Sequence, residues 1–232
     1  TGSRLLPVGS PPVSAMREES RYEAALAGDE IVIVSACSSA FFEYYLDLIE
    51  SLDEVGLGER MTLGVIDLGM TPDQRLILAS RGVRRIDASW PIDPPPAFAS
   101  LDYFGFVAKP YLRELFPGYQ LYLWLDADMW VQDASFFEHL CDNALAGRFA
   151  VASEADRDYR APTLQLRAWM LNNYRRGYGL VEALRLSFAP IVNNSLAAAH
   201  VDAPHWAVWQ RDYEQIVHRA QRLVAMDQLA LQ

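Results

Sequence analysis

The stretch YLWLDADMWVQD, Tyr122–Asp133, stays apolar and aromatic up to Leu125 and is then broken by Asp126 and Asp128. Its first half reads as a strand covered on both faces, the kind found in parallel sheets. The acids stand at the strand's C-terminal end, and beyond such ends the loops of a parallel sheet converge on ligands. In extended backbone, residues two apart point to the same side, so both carboxylates can face one site while Ala127 points away. Two carboxylates that close repel each other and favour a cation between them. A hard divalent ion, Mn²⁺ or Mg²⁺, held also by substrate phosphate oxygens, meets that demand.

Outward from these acids the chain alternates. EIVIVSACSS reads as a buried strand, and FFEYYLDLIESLDEVGL as an amphipathic helix closing near Gly56 and Gly58. MTLGVIDLG is a second strand. TPDQRLILASRG is a helix with Thr71 as cap, Pro72 at its first position and Gly82 at its end. VRRIDA makes a third strand, before the prolines of SWPIDPPPAFAS break the rhythm. FVAKPYLRELFPG is expected to be one helix with Pro110 near its start. SFFEHLCDNALAG is a further helix, RFAVASEA a strand, and TLQLRAWMLNNY helical within a less regular segment. SFAPIVNNSLAAAHV is expected to form two short strands around the asparagines; APHWAVWQRDYEQIVHRAQRL is an amphipathic helix, and AMDQLALQ starts another. This βαβ alternation predicts an α/β domain with a mostly parallel, Rossmann-like sheet flanked by helices over residues 30–232, preceded by a flexible lead-in and short helix over 1–29.

Composition narrows the function. The 232 residues, 51% of them hydrophobic, suffice for one sizeable core. A formal charge of −10 argues against nucleic-acid or anionic-membrane partners. Cys37 and Cys141 are too few for a disulfide framework and lack metal-ligand spacing. No apolar run approaches the ~20 residues of a membrane span, and no secretory pattern opens the sequence. The expectation is a soluble, cytoplasmic protein, with homo-oligomerisation left open.

FVAKPYLRELFPGYQLYLWLDADMWVQD resembles the stretch through the Asp-x-Asp motif of nucleotide-sugar-dependent glycosyltransferases of the GT-A fold, especially glycosyltransferase family 8. IVIVSACSSAFFEYYLDLIESL, VIDLGMTPDQRLIL, PIVNNSLAAAH and MDQLALQ look like further family segments in the same order. The resemblance implies that Asp126 and Asp128, with Ala127 between them, bind Mn²⁺ or Mg²⁺ and through it the diphosphate of a nucleoside-diphosphate sugar, a UDP-sugar being favoured. It implies that Lys109 contacts donor phosphates, and that Ala36, Cys37 and Ser38 seat base and ribose. Ser38 could equally cap the next helix. Asp67 either receives a ribose hydroxyl or starts a turn. Asn193 matches the asparagine of the family's Asn-Ala-Gly segment, where Asn194 and Ser195 replace the alanine and glycine. Asp227 and Gln228 match a late Asp-Gln pair beside the transferred sugar. Glu154 and Asp156 fall where an acid binds acceptor or sugar, and Trp169 and Tyr174 are candidates for an acceptor wall.

Family members usually add a histidine as third metal ligand well beyond the Asp-Gln pair. This sequence stops four residues after Gln228, so a missing C-terminal tail is expected. The implied reaction is a retaining sugar transfer to a hydroxyl acceptor, with charge on the departing diphosphate neutralised by metal and lysine. Two rivals stand beside it. A sugar-phosphate nucleotidyltransferase would carry a Gly-rich basic loop after the first strand, which SACSSAFFEYY is not. A non-catalytic scaffold on a degenerate transferase fold would bind nucleotide or sugar without turnover.

Overall fold

A computed structural model of the chain describes residues 22, 23, 25, 30–153, 164–189, 191–221 and 226–231. Among them, six strands form one sheet in the order β3-β2-β1-β4-β6-β5. The strands are β1 (Ile31–Cys37), β2 (Thr62–Asp67), β3 (Arg84–Asp87), β4 (Leu121–Leu125), β5 (Ala150–Ser153) and β6 (Val192–His200). β1 pairs in parallel with both β2 and β4, and β2 with β3. β6 runs antiparallel to both β4 and β5. The C-terminal ends of five strands and the N-terminal end of β6 therefore share one edge of the sheet.

Side-chain alternation along the strands divides the core in two. Ile31, Ile33, Leu63, Val65, Leu121, Leu123, Leu125 and Leu196 face one layer, built on α1 (Phe42–Glu54), α2 (Pro72–Ser80) and, after β4, α5 (Ala134–Leu145). Val32, Val34, Ile66, Tyr122, Trp124, Ala197 and Ala199 face the other. That second layer holds α3 (Gly105–Ala108), α4 (Leu112–Leu115), α6 (Leu164–Tyr178), α7 (Leu180–Leu186), α8 (His205–Ala220) and α9 (Met226–Ala230). A strand covered on both faces must be apolar at every position, and LYLWL is buried throughout.

Two elements differ from the sequence reading. The helix expected over 106–118 is instead α3, a 3₁₀ turn at Lys109–Tyr111 and α4. Pro110 has no N–H to give and its ring disfavours a continuous α-helix, so the chain tightens there. The two short strands expected around the asparagines are one nine-residue strand, β6, with a register shift in its pairing to β5 between Val151 and Ala152. Pairing with β4 through Leu196, continued by the Asp126 N–H on the Ser195 carbonyl, keeps the Asn-Asn-Ser run extended, and the three extra β6 residues 194–196 are absorbed as an irregularity against β5. The short helix expected over 16–29 lies almost wholly outside the described residues.

Candidate functional site

The shared sheet edge opens into a cleft of about 340 Å³ lined by Ala36, Ser38, Leu68, Lys109, Trp124 and the Asp126–Asp128 stretch, with Phe41, Asp102, Gly105 and Phe106 around it. Its polar centre is Lys109. The ammonium is almost completely buried, 3.3 Å from Asp126 Oδ1 and 3.2 Å from Asp227 Oδ2. It donates to the carbonyl of Asn194 at 3.2 Å and stands 5.2 Å from the centre of the Trp124 ring. Burial works against this charge, but the carboxylates of Asp227 and Asp126 outweigh it and hold the lysine pKa above its ordinary value. The 3₁₀ turn that begins at Lys109 turns the side chain inward beneath the ends of β4 and β6.

Asp126 is fixed from two further directions. Trp124 Nε1 donates to its Oδ1 at 2.5 Å, and its backbone N–H donates to the Ser195 carbonyl at 2.9 Å, carrying the β4–β6 pairing one residue past the strand. Asp128 is exposed at the mouth, and Ala127 between them is buried against the opposite core layer. The extended backbone expected past Asp126 is instead a turn, closed by the Met129 N–H on the Asp126 carbonyl at 3.1 Å, and it is this turn that puts Asp126 and Asp128 on the same cleft. Asp227 is fully buried at the start of α9; Asn194 Nδ2 donates to its Oδ2 at 2.5 Å, and its own carbonyl accepts from Trp209 Nε1 at 3.1 Å. Among the described residues its buried Oδ1 has no hydrogen-bond partner. Burial lifts the Asp227 pKa, with Lys109 pulling the other way. Gln228 donates from Nε2 to the Val192 carbonyl at 2.6 Å, which ties α9 to the start of β6.

Several predicted residues take other positions. The contact with the Lys109 cluster comes from Asn194; Asn193 turns its amide oxygen to the Ser195 N–H at 2.8 Å. Adjacent strand residues face opposite sides, so only one of the two can reach the cluster. Asp67 is the turn-former of its two readings. It is buried, accepts from the N–H groups of Gly69 and Met70 at 2.9 and 2.8 Å, and pairs with Arg75 at 2.6 Å and Arg85 at 3.0 Å. That occupancy leaves it no lone pair directed at the cleft. Ala36 and Ser38 line the cleft, and the Ser38 side chain makes no cap bond to the following 3₁₀ helix. Cys37 is buried in the opposite layer, its thiol pushed up to about 12 by burial and by Asp67, so only its backbone can approach a ligand. Tyr174 is a core residue of the second layer, fully buried; an acceptor wall there would need a surface it does not present. Trp169 is 46% exposed on α6. Glu154 and Asp156 lie outside the described residues.

Sequence reasoning missed Trp124 as the group that orients Asp126, and Phe106 as cleft lining one turn before Lys109. The i, i+2 relation of Trp124 to Asp126 along an extended chain is the signal that could have found the first. Among the described residues no three His, Cys, Asp or Glu side chains gather as a metal-ligand set. A divalent ion nevertheless suits the site's charge. Asp126 and Asp227 share one lysine while Asp128 lines the same cleft, and Mg²⁺-type ions commonly take only one or two protein carboxylates, the remainder being water and phosphate oxygens.

No family model matches the chain, and no curated protein matches it. Solved structures do. The galactosyltransferase LgtC, in a crystal structure with donor and acceptor sugar analogues, superposes with a TM-score of 0.56 at 17% identity, over 85% of this chain and 69% of that one. An active-site mutant of LgtC gives a TM-score of 0.54 at 17% identity, over 85% and 68%. The mostly parallel sheet flanked by helices is therefore a Rossmann-like, GT-A-type fold.

Proposed function

We propose that this chain transfers a sugar from a nucleoside-diphosphate sugar, a UDP-sugar in the first instance, to a hydroxyl acceptor. The observation that carries this reading is the buried Lys109 clamped between Asp126 and Asp227 at the strand-end cleft. The fold shared with LgtC, whose structure was solved with donor and acceptor sugar analogues, supports reading this cleft as a donor site.

The cleft supplies a groove of small residues, Ala36 and Ser38, for nucleoside. Asp126 and Asp128 would hold a Mn²⁺ or Mg²⁺ ion, which when bound neutralises charge on the donor diphosphate. Lys109 and Trp124 hold the Asp126 carboxylate in place. Because Lys109 already has three protein partners, it acts on the donor chiefly through the two carboxylates it positions, in addition to its long-range charge. Asp227, fully buried behind Lys109, would accept a hydroxyl of the transferred sugar at Oδ1 once donor binding opens the cleft floor to it, and Gln228 stands next to it. Transfer with retained anomeric configuration follows from front-face substitution, in which the departing phosphate oxygen takes the acceptor's proton. Glu154, Asp156 and Trp169 remain the proposed acceptor-side residues.

Calorimetric titration with UDP, GDP and their sugars, with and without Mn²⁺, tests the reading. One nucleotide should bind only with metal, and Asp128→Ala should abolish that binding without altering the circular dichroism. Failure of every nucleotide to bind would remove the enzyme assignment. Metal-dependent nucleotide binding without hydrolysis or transfer would instead favour the scaffold. Product-linkage nuclear magnetic resonance then decides the stereochemistry, an inverted anomer overturning the front-face route.

A further inference from the structure

The α6–α7 hairpin, residues 164–189, differs in charge from the rest of the chain. It carries four arginines and one glutamate in a protein of formal charge −10. Arg167, Arg175, Arg176 and Arg185 are all exposed, and the glutamate, Glu182, lies 3.2 Å from Arg185. Gly179, at φ 91°, turns the chain between the two helices, and Arg219 from the last turn of α8 reaches the same junction, 3.2 Å from where a Cβ would stand on that glycine.

α7 is held by one side only. Ala183 is fully buried and Leu186 packs on the second core layer. The opposite face shows Leu180 at 59%, Val181 at 72% and Leu184 at 48% exposure, and Phe188 just past the helix end at 87%. Positions 180, 184 and 188 repeat every four residues with 181 beside them, so these side chains form one stripe and not a scatter. An apolar stripe on a hairpin whose exposed charges are mostly arginines is what an interfacial helix presents to lipid: apolar side chains enter the acyl boundary while arginines meet anionic headgroups. The whole-chain charge argument against anionic surfaces averages over this hairpin and hides it.

We propose that the α7 face, Leu180, Val181, Leu184 and Phe188 with the arginines of the α6–α7 hairpin, docks this protein on an anionic membrane surface. Charge complementarity selects that occupant over a second copy paired through the same face, since such pairing would bring the arginines of two hairpins together, whereas anionic headgroups neutralise them. Docking is peripheral; among the described residues no helix is long and apolar enough to cross a bilayer.

Co-sedimentation of the full chain with vesicles of phosphatidylcholine alone, or of phosphatidylcholine with phosphatidylglycerol, tests this. Binding is expected to the anionic vesicles, to weaken as salt is raised, and to be slight on neutral ones. Val181→Ser with Phe188→Ser should weaken it about tenfold or more through lost apolar burial. Arg175→Glu with Arg176→Glu should weaken it by a similar or larger factor. All four sites are exposed, so unchanged melting curves are expected for both double variants. Absence of binding by the wild-type chain, binding indifferent to salt, or equal binding by wild type and variants would overturn the proposal. So would a concentration-dependent dimer that the Val181→Ser, Phe188→Ser variant disperses, which would assign the stripe to self-association.

Discussion

At Lys109 the cost of a change follows from burial. Among the described residues its ammonium is the only cation paired with the fully buried Asp227 side chain, so Lys109→Met leaves a carboxylate in the core without its partner. Breaking one side of a buried pair costs about 3–5 kcal/mol, and urea unfolding of Lys109→Met should show a loss of that order. The double variant Lys109→Met, Asp227→Leu should recover part of it, because removing both partners also removes the stranded charge. Asp67 gives a second residue-scale test. Burial alone would raise its pKa, but the Met70 N–H, Arg75 and the Gly69 N–H together hold it below the ordinary carboxylate value. A carboxylate with a depressed folded pKa contributes stability above its unfolded pKa of about 3.9 and loses it as pH falls through the folded value. Asp67→Asn should therefore flatten the acid limb of the stability curve below about pH 4 while lowering stability at pH 7, measured by denaturant midpoints across pH. Asp126 and Asp128 were legible as acids at a strand end because the apolar run before them is local, although a turn and not strand alternation brings both to the cleft. The other face of the site was not. Lys109, Asn194 and Asp227 meet only after the chain has crossed the sheet, and no local pattern distinguishes Asn194 from Asn193 until the pleat assigns each a side.

Elements were read best where their ends are written in side chains. Thr71 and Gln74 form a reciprocal capping box at the start of α2, with Pro72 at its first position, all visible in TPDQ. Thr71→Ala should cost about 1 kcal/mol in thermal or chemical unfolding. Gly64, mid-strand in β2, was silent in the sequence; a Cβ there would stand 2.7 Å from Phe116 Cε1. Phe116 is fully buried at the end of α4, so it cannot swing into solvent, and Gly64→Ala is expected to destabilise by about 1–3 kcal/mol through overpacking. The same variant with Phe116→Leu should regain part of that loss. The interruption of the 105–115 helix was predictable in kind from Pro110 but not in place, since a proline near a helix start is tolerated and only packing against β4 and α8 decides where the turn tightens.

For the whole molecule, the alternating pattern gave the sheet and its two covering layers, while the reversed β6 was beyond reach, because direction is set by which edge receives the strand and not by its composition. If the strand-end cleft binds nucleotide with metal, binding to the folded state alone must stabilise it. At a free ligand concentration a hundred times its dissociation constant the gain is about 2.7 kcal/mol. For a chain of this size each kcal/mol moves the melting temperature by roughly 2–4 °C, so nucleotide with Mn²⁺ should raise it by about 5–10 °C. Addition of a chelator should return it to the ligand-free value, and Asp128→Ala should never show the rise.

Because β6 runs against its neighbours, Ser153 at the end of β5 and Val192 at the start of β6 are register partners. The chain leaves the sheet at one and re-enters at the other, a single hydrogen-bonded doorway for everything between 154 and 191. That makes the intervening segment a cassette. If the proposed transfer holds, the segment could be exchanged between chains of this architecture as one unit, provided the graft keeps side chains equivalent to Met170, Tyr174 and Ala183 to plug the second layer, while β4 and the Asp126–Asp128 turn after it stay in place. Diversification of what the molecule acts upon could then proceed by recombination at two fixed seams, leaving the cleft at the sheet edge untouched.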